Sequence, residues 1–356
     1  MNIYKKHYGK IHFCITGIVI ALILVVGLTL FPQYKLIILS CAYGIAIFPY
    51  YDWVFFENTH HYRLCANLIL ACALPILIYL GGLLASLGTF YVCIGFIIPV
   101  LIVMFLNLLP GRYKMNSWLF AMFFSTGTGM GSEISKLGSE ALYLFFGLLL
   151  CCIIYYLYYL IFAKKIQRVK AEFYPSISAV KHVFKNANPR VFRFSLILYI
   201  SVILAYLCSV MLNHLVPQFY LSSRAYWSPY FVFLILQLNP EKSKLVQRTF
   251  HRFLGTLMGL ILGTVVVVLI HNPLYVRIVF IVITLILLNA AYDVKNYYRF
   301  TVITNSYMMF LYIGILSLTV NIAMFRFAET IISVLISLMA IFILRPIFQR
   351  IFPIQE

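Results

Sequence analysis

Acidic side chains are nearly missing: nine Asp and Glu stand against 27 Lys and Arg in 356 residues, and charged residues make up only 10%. A soluble domain carries roughly 25% charged residues and 45–50% apolar ones, whereas this chain is 63% hydrophobic. That balance excludes an ordinary soluble domain. The longest polar segment, 163–192, is a basic linker and is too short to form one. Paired CxxC and Cys/His ligand spacings are also lacking, and all eight cysteines lie in apolar runs, so neither disulfides nor a metal site is expected. The glycines of the Ser125–Glu133 stretch, STGTGMGSE, lack the lysine that reaches phosphates in a nucleotide loop. With no nucleophile–base spacing in sight, the residues argue against an enzyme, and no cofactor is expected.

What the chain has is apolar runs. They lie near 11–31, 35–50, 64–84, 87–109, 117–131 and 140–162, then near 193–213, 225–238, 250–270, 273–291, 299–318 and 326–345. Most are long enough to cross a bilayer, which takes about 20 apolar residues. The second and fifth of each half are short or polar enough to be broken or tilted. The first run follows the basic Met1–Lys10 segment and is too long for the core of a cleaved signal, so it reads as a retained span. The expected fold is an all-α polytopic membrane protein with about twelve transmembrane helices. Residues 1–162 form one six-helix half, 163–192 a cytoplasmic linker, and 193–356 the second half.

Charge placement fixes the orientation. With both termini cytoplasmic, 22 of the 27 basic residues fall on the inner side, leaving Lys35, Lys136, Arg224, Arg277 and Arg326 outside. The net charge of +18 therefore follows the positive-inside rule and needs no nucleic acid to explain it. Lipids are the expected surroundings, and an oligomer is left open.

The halves read as degenerate repeats in parallel orientation, an arrangement many transporters use. Each has a proline near the end of its second run (Pro49, Pro240) and an arginine entering its third (Arg63, Arg252). Arg63-Leu-Cys-Ala-Asn67 echoes Arg252-Phe-Leu-Gly-Thr256, and an acid sits near the outer end of each sixth run (Glu140, Glu329).

The most informative stretch is Trp227–Gly263. Gly255, Thr256, Gly259 and Gly263 recur at the three-to-four-residue step that keeps side chains on one helix face. Small residues in that pattern let another helix approach closely, so packing is their first reading. Arg252 opens the stripe. Its fork suits a carboxylate, and lipid phosphate or simple topology would also account for it. Glu329 lies in the last run with Arg326 at i−3, on the same face. It reads as a proton-coupling or substrate-gating acid, or as half of an ion pair at the outer interface. Glu140, with Lys136 at i−4, lies closer to a loop. Asn305, in the polar fifth run, either lines a water-filled path or bonds a neighbouring helix.

Within this stretch the chain resembles the fusaric-acid-resistance/aromatic-acid-exporter superfamily, the FUSC-like inner-membrane proteins. Its pattern of Trp-x-Pro, an apolar helix, Gln-x-Asn-Pro and Arg-x-x-Gly-Thr-x-x-Gly stands here as Trp227, Pro229, Gln237, Asn239, Pro240, Arg252, Gly255, Thr256 and Gly259. A second element, Arg-x-x-Glu-Thr before a proline, stands as Arg326, Glu329, Thr330 and Pro346. The larger cytoplasmic domain of bigger members has no counterpart here, so the chain resembles a compact branch. The resemblance implies a secondary transporter of the bacterial inner membrane that exports small aromatic or amphipathic organic acids. It further implies an ion gradient as the driving force and a periplasmic adaptor of the membrane-fusion type. The competing expectation is a scaffold that transports nothing and serves envelope assembly.

Overall fold

The computed structural model describes residues 60–108, 117–129, 134–162, 189–215, 227–236, 242–270, 297–315 and 320–352, with scattered positions in 19–41 and 272–283. Its helices are α1 (His60–Leu87), α2 (Thr89–Gly95), α3 (Ile97–Leu108), α4 (Ser117–Thr128) and α5 (Ile134–Phe162). After these come α6 (Pro189–Leu215), α7 (Trp227–Leu236), α8 (Lys242–Leu269), α9 (Tyr297–Met309), α10 (Asn321–Met339) and α11 (Arg345–Ile351). No strand occurs among the described residues. Among the described residues, five stretches are long and apolar enough to cross a membrane: Leu68–Leu87, Lys136–Ile154, Pro189–Leu215, Lys242–Leu269 and Asn321–Ile351. This is a multi-pass, all-helical membrane protein. Large apolar side chains on its surface, such as Phe90, Leu215 and Leu269, suit contact with lipid.

The chain forms two compact units. The first holds residues 1–75, 139–174 and 259–318, and the second 76–138, 175–258 and 319–356. In the first, Gly147 packs against Ser40 and Cys41, and Gly259 and Gly263 of α8 lie against α9. Cys41, Cys151 and Cys152 are buried there with free thiols. In the second, α7 packs against α4, α6 and α10, and every one of its ten residues is buried. A helix walled in on all sides reads as continuously apolar, which is why Phe231 to Leu236 shows no polar face.

Several boundaries differ from those expected of the sequence, four of them for a clear local reason. The run 87–109 is split into α2 and α3, which meet at Phe96. Gly88 separates α1 from α2 with φ at +124°, a backbone conformation that glycine alone adopts without strain. α6 begins at Pro189, inside the expected linker, where the missing proline N–H falls among donors that have no helical partner anyway. α8 starts at Lys242 rather than near 250. Lys242, Ser243 and Lys244 are exposed there while Leu245 and Thr249 continue the buried stripe, so polar residues extend the helix without entering the core. The last span passes Pro346 and ends at Ile351, through a π-helical segment at Ala340–Leu344. The wider π turn moves each carbonyl's partner on by one residue, so the carbonyl that proline would deprive is served elsewhere.

The runs 35–50 and 273–291 lie largely outside the described residues and the run 11–31 partly so, and Pro49, Glu133, Gln237, Asn239, Pro240 and the linker as far as residue 188 lie outside them.

Candidate functional site

The second unit gathers three of the residues singled out by sequence, Arg252, Arg326 and Glu329, around the first turn of α7. Trp227, Ser228 and Pro229 open that helix. The first turn of any helix leaves N–H groups without partners inside the helix. Pro229 removes one of those donors. Ser228 directs another at Glu329 of α10, its N lying 2.6 Å from Oε2. The same oxygen accepts from the Ser209 hydroxyl of α6 at 2.9 Å. Ser209 and Ser228 also touch through their hydroxyls, and each lies 3.0 Å from the Ala205 carbonyl. Glu329 is fully buried, and its Oε1 has no hydrogen-bond partner among the described residues.

Two buried guanidinium groups also lie against the first turns of α7. Arg252 of α8 is 1% exposed, and its Cζ stands 4.0 Å from the centre of the Phe231 ring. Arg326 of α10 is 2% exposed, 4.4 Å above the Trp227 indole and 5.3 Å from the same Phe231 ring. Phe325 closes the indole's surroundings, with the ring centres 5.7 Å apart. Arg326 is thus part of the packed core of the second unit. Its helix begins at Asn321, five residues before the expected boundary, so Arg326 enters the helix early enough to face α7.

The electrostatics of this cluster are unusual. Glu329 is the single acidic side chain among the described residues of the second unit, and its Oε2 is taken up by Ser209 and Ser228. Arg252 is permanently charged, yet its buried Nε donates no hydrogen bond among the described residues. A desolvated cation–π contact contributes about 2 kcal/mol, whereas burying an ion costs several. The aromatic face alone does not offset burial of Arg252. A small anion against Nε would.

The other sequence candidates are placed as follows. Thr256, one turn beyond Arg252, is fully buried in the second unit, and Gly255 beside it is buried too. Gly259 and Gly263 belong to the first unit. A Cβ on Gly259 would run into the Val302 carbonyl oxygen, and one on Gly263 would come within 2.9 Å of the Ser306 Cα. Asn305 is fully buried there, donating to the Thr301 carbonyl at 2.8 Å, and Ser306 donates to the Gly259 carbonyl at 3.0 Å. Glu140 is half-buried in α5, about two turns from the start of that helix, and belongs to the first unit. Sequence reasoning missed Ser209, Ser228 and Phe231. Ser228 carried a signal, since it lies between Trp227 and Pro229; Ser209 carried none beyond being polar in an apolar run.

Residues 204–340 match the family model described as fusaric acid resistance protein-like. The matched stretch contains every residue of the cluster. Over these residues the chain is similar to the FUSC-like proteins. The FUSC-like match bears out the resemblance carried by the Trp227–Gly263 and Arg326–Thr330 motifs, and it speaks for a role in membrane transport. In the structure the Trp-x-Pro opening and the Arg-x-x-Glu-Thr element meet, as the capped end of α7 and its cap. No curated protein and no solved structure matches the chain.

Proposed function

We propose that this FUSC-like protein is an inner-membrane secondary transporter that exports small aromatic or amphipathic organic acids. The observation that supports it most is Arg252, buried, cationic and with Nε unengaged among the described residues. A guanidinium offers a carboxylate paired, charge-assisted hydrogen bonds. Arg326 adds a second cation by the same ring, Thr256 continues the polar line along α8, and Glu329 is the group that can change charge as transport proceeds. Asn305 and Glu140, in the first unit, are further candidate transport or coupling positions. Export is driven by an ion gradient, and a periplasmic adaptor of the membrane-fusion type receives the substrate. Twelve spans in two parallel repeats, 1–162 and 193–356 joined by the 163–192 linker, with both termini cytoplasmic, complete the proposal.

Energised inside-out vesicles test it. Uptake of an aromatic acid such as benzoate, abolished by an uncoupler and by Arg252→Gln, is the expected result. Vesicles that remain inert towards a panel of such acids, even with the adaptor present, would overturn it.

A further inference from the structure

Basic side chains from three helix ends meet on the last stretch of the final span. Arg193, in the first turns of α6, donates from Nη1 to the Phe352 carbonyl at 3.2 Å. Arg345 opens α11 and feels the positive charge of Arg193 beside it. Lys242, the first residue of α8, places its Nζ 4.5 Å from the centre of the Phe342 ring, three residues before Arg345. α6 packs against both the π-helical segment and α11, so the three cations belong to one patch of the second unit. Arg350, exposed on α11, adds further positive charge.

Basic side chains near a span's end ordinarily snorkel one by one to the interface. These are held instead. A backbone carbonyl fixes Arg193, a ring fixes Lys242, and Arg193 and Arg345 are both half-buried. Like charges packed together at reduced solvent exposure repel, and a shared anion offsets the repulsion. No described carboxylate serves. Glu329 lies sixteen residues before Arg345, roughly 24 Å along a helix rising 1.5 Å per residue, and it is engaged by Ser228 and Ser209. Glu241, which precedes Lys242, lies outside the described residues. A guanidinium carries five N–H donors, and the bond to Phe352 leaves Arg193 most of a fork that matches phosphate oxygens. The neighbouring surface says which phosphate. Ile331, Leu335 and Phe342 are exposed and recur at the helical step, so an apolar stripe runs along the last span and ends at the cations. A free ion makes no use of that stripe. A phospholipid fills both parts, with its phosphate at the patch and its acyl chains on the stripe.

We propose that Arg193, Lys242 and Arg345 form a binding site for one anionic phospholipid. Basic pockets between transmembrane helices hold cardiolipin-type headgroups in this way. The site is independent of the transport reading above and needs no substrate. The test takes the full-length protein, purified in detergent and stripped of lipid, through native mass spectrometry and thermal melting. The probes are cardiolipin, phosphatidylglycerol, phosphatidylcholine and inorganic phosphate. The two anionic lipids should be retained as a discrete adduct and raise the melting temperature, while phosphatidylcholine and phosphate do neither. Arg193→Gln with Arg345→Gln should weaken cardiolipin binding about tenfold or more, and Lys242→Gln several-fold. Arg299→Gln, an exposed charge of the first unit, should leave it unchanged. Lys242→Gln decides alone should the double variant, which loses the bond to Phe352, fail to fold. Equal retention of phosphatidylcholine would reduce the patch to ordinary lipid contact. Stabilisation by phosphate alone would make it a free-anion site, and an equal loss in Arg299→Gln would make it bulk charge. Any of these, or unchanged cardiolipin affinity in Lys242→Gln, overturns the proposal.

Discussion

The carboxyl of Glu329 accepts the backbone N–H of Ser228 at 2.6 Å, so an acid from the last span closes the N-terminus of the buried helix α7. Two tasks fall on one side chain, and they separate by substitution. Glu329→Gln keeps an oxygen for Ser228 but cannot ionise. Efflux should vanish while membrane levels stay normal, as read by transport and quantitative blotting. Glu329→Ala removes the acceptor from a buried donor and should destabilise the protein by about 1–3 kcal/mol, visible as a lower melting temperature in detergent. Normal efflux by Glu329→Gln would show that the cap is the whole of its role.

Arg252 allows a sharper separation of structure from function. Replacing a buried ion by an apolar side chain of similar volume is often neutral or stabilising by about 1–4 kcal/mol. Arg252→Met should therefore melt no lower than the wild type and still lose organic-acid efflux by a factor of about ten or more, the worth of one charge-assisted hydrogen bond. A marked fall in melting temperature with unchanged transport kinetics would make Arg252 a structural residue.

The legible part of the fold was what repeats along the chain. Apolar runs announce spans, and the three-to-four-residue stripe from Arg252 to Gly263 lies on the buried face of α8. Motif order singled out Trp227, Arg252, Arg326 and Glu329 but not their arrangement in space. Arg326 reads as an outer charge because a lone arginine near a run's end usually is one; burial against Trp227 and Phe231 depends on where α7 packs. Ser209 was illegible for the same reason, since its partner Glu329 is 120 residues away in the chain. Local polarity misled at Lys242 and Pro346, where a solvent-facing helix start and a π turn absorb residues that normally end helices.

Phe231 should act through both arginines. Its ring is the shared face for Arg252 and Arg326, and a cation–π contact is worth about 0.5–2 kcal/mol. Phe231→Leu keeps an apolar residue of similar bulk in the core but removes the quadrupole. The Michaelis constant for an organic acid should rise several-fold with little change in membrane level, whereas Phe231→Tyr should keep most of the affinity. Equal kinetics for Leu and Tyr would remove the ring's electrostatic part from the argument.

The glycines of α8 make the opposite prediction, a packing defect without a change in affinity. A methyl on Gly259 would meet the Val302 carbonyl oxygen, which is backbone and cannot swing aside. On Gly263 it would lie 2.8 Å from Met309 Cβ, again close to the chain itself. Overpacking of this kind costs about 1–3 kcal/mol, so Gly259→Ala and Gly263→Ala should each lower the melting temperature and the amount of protein in the membrane. The molecules that do fold should keep the wild-type Michaelis constant, because the defect lies in the first unit while Arg252 and Glu329 lie in the second. A changed Michaelis constant at full stability would instead make the α8–α9 seam part of the substrate-binding site itself.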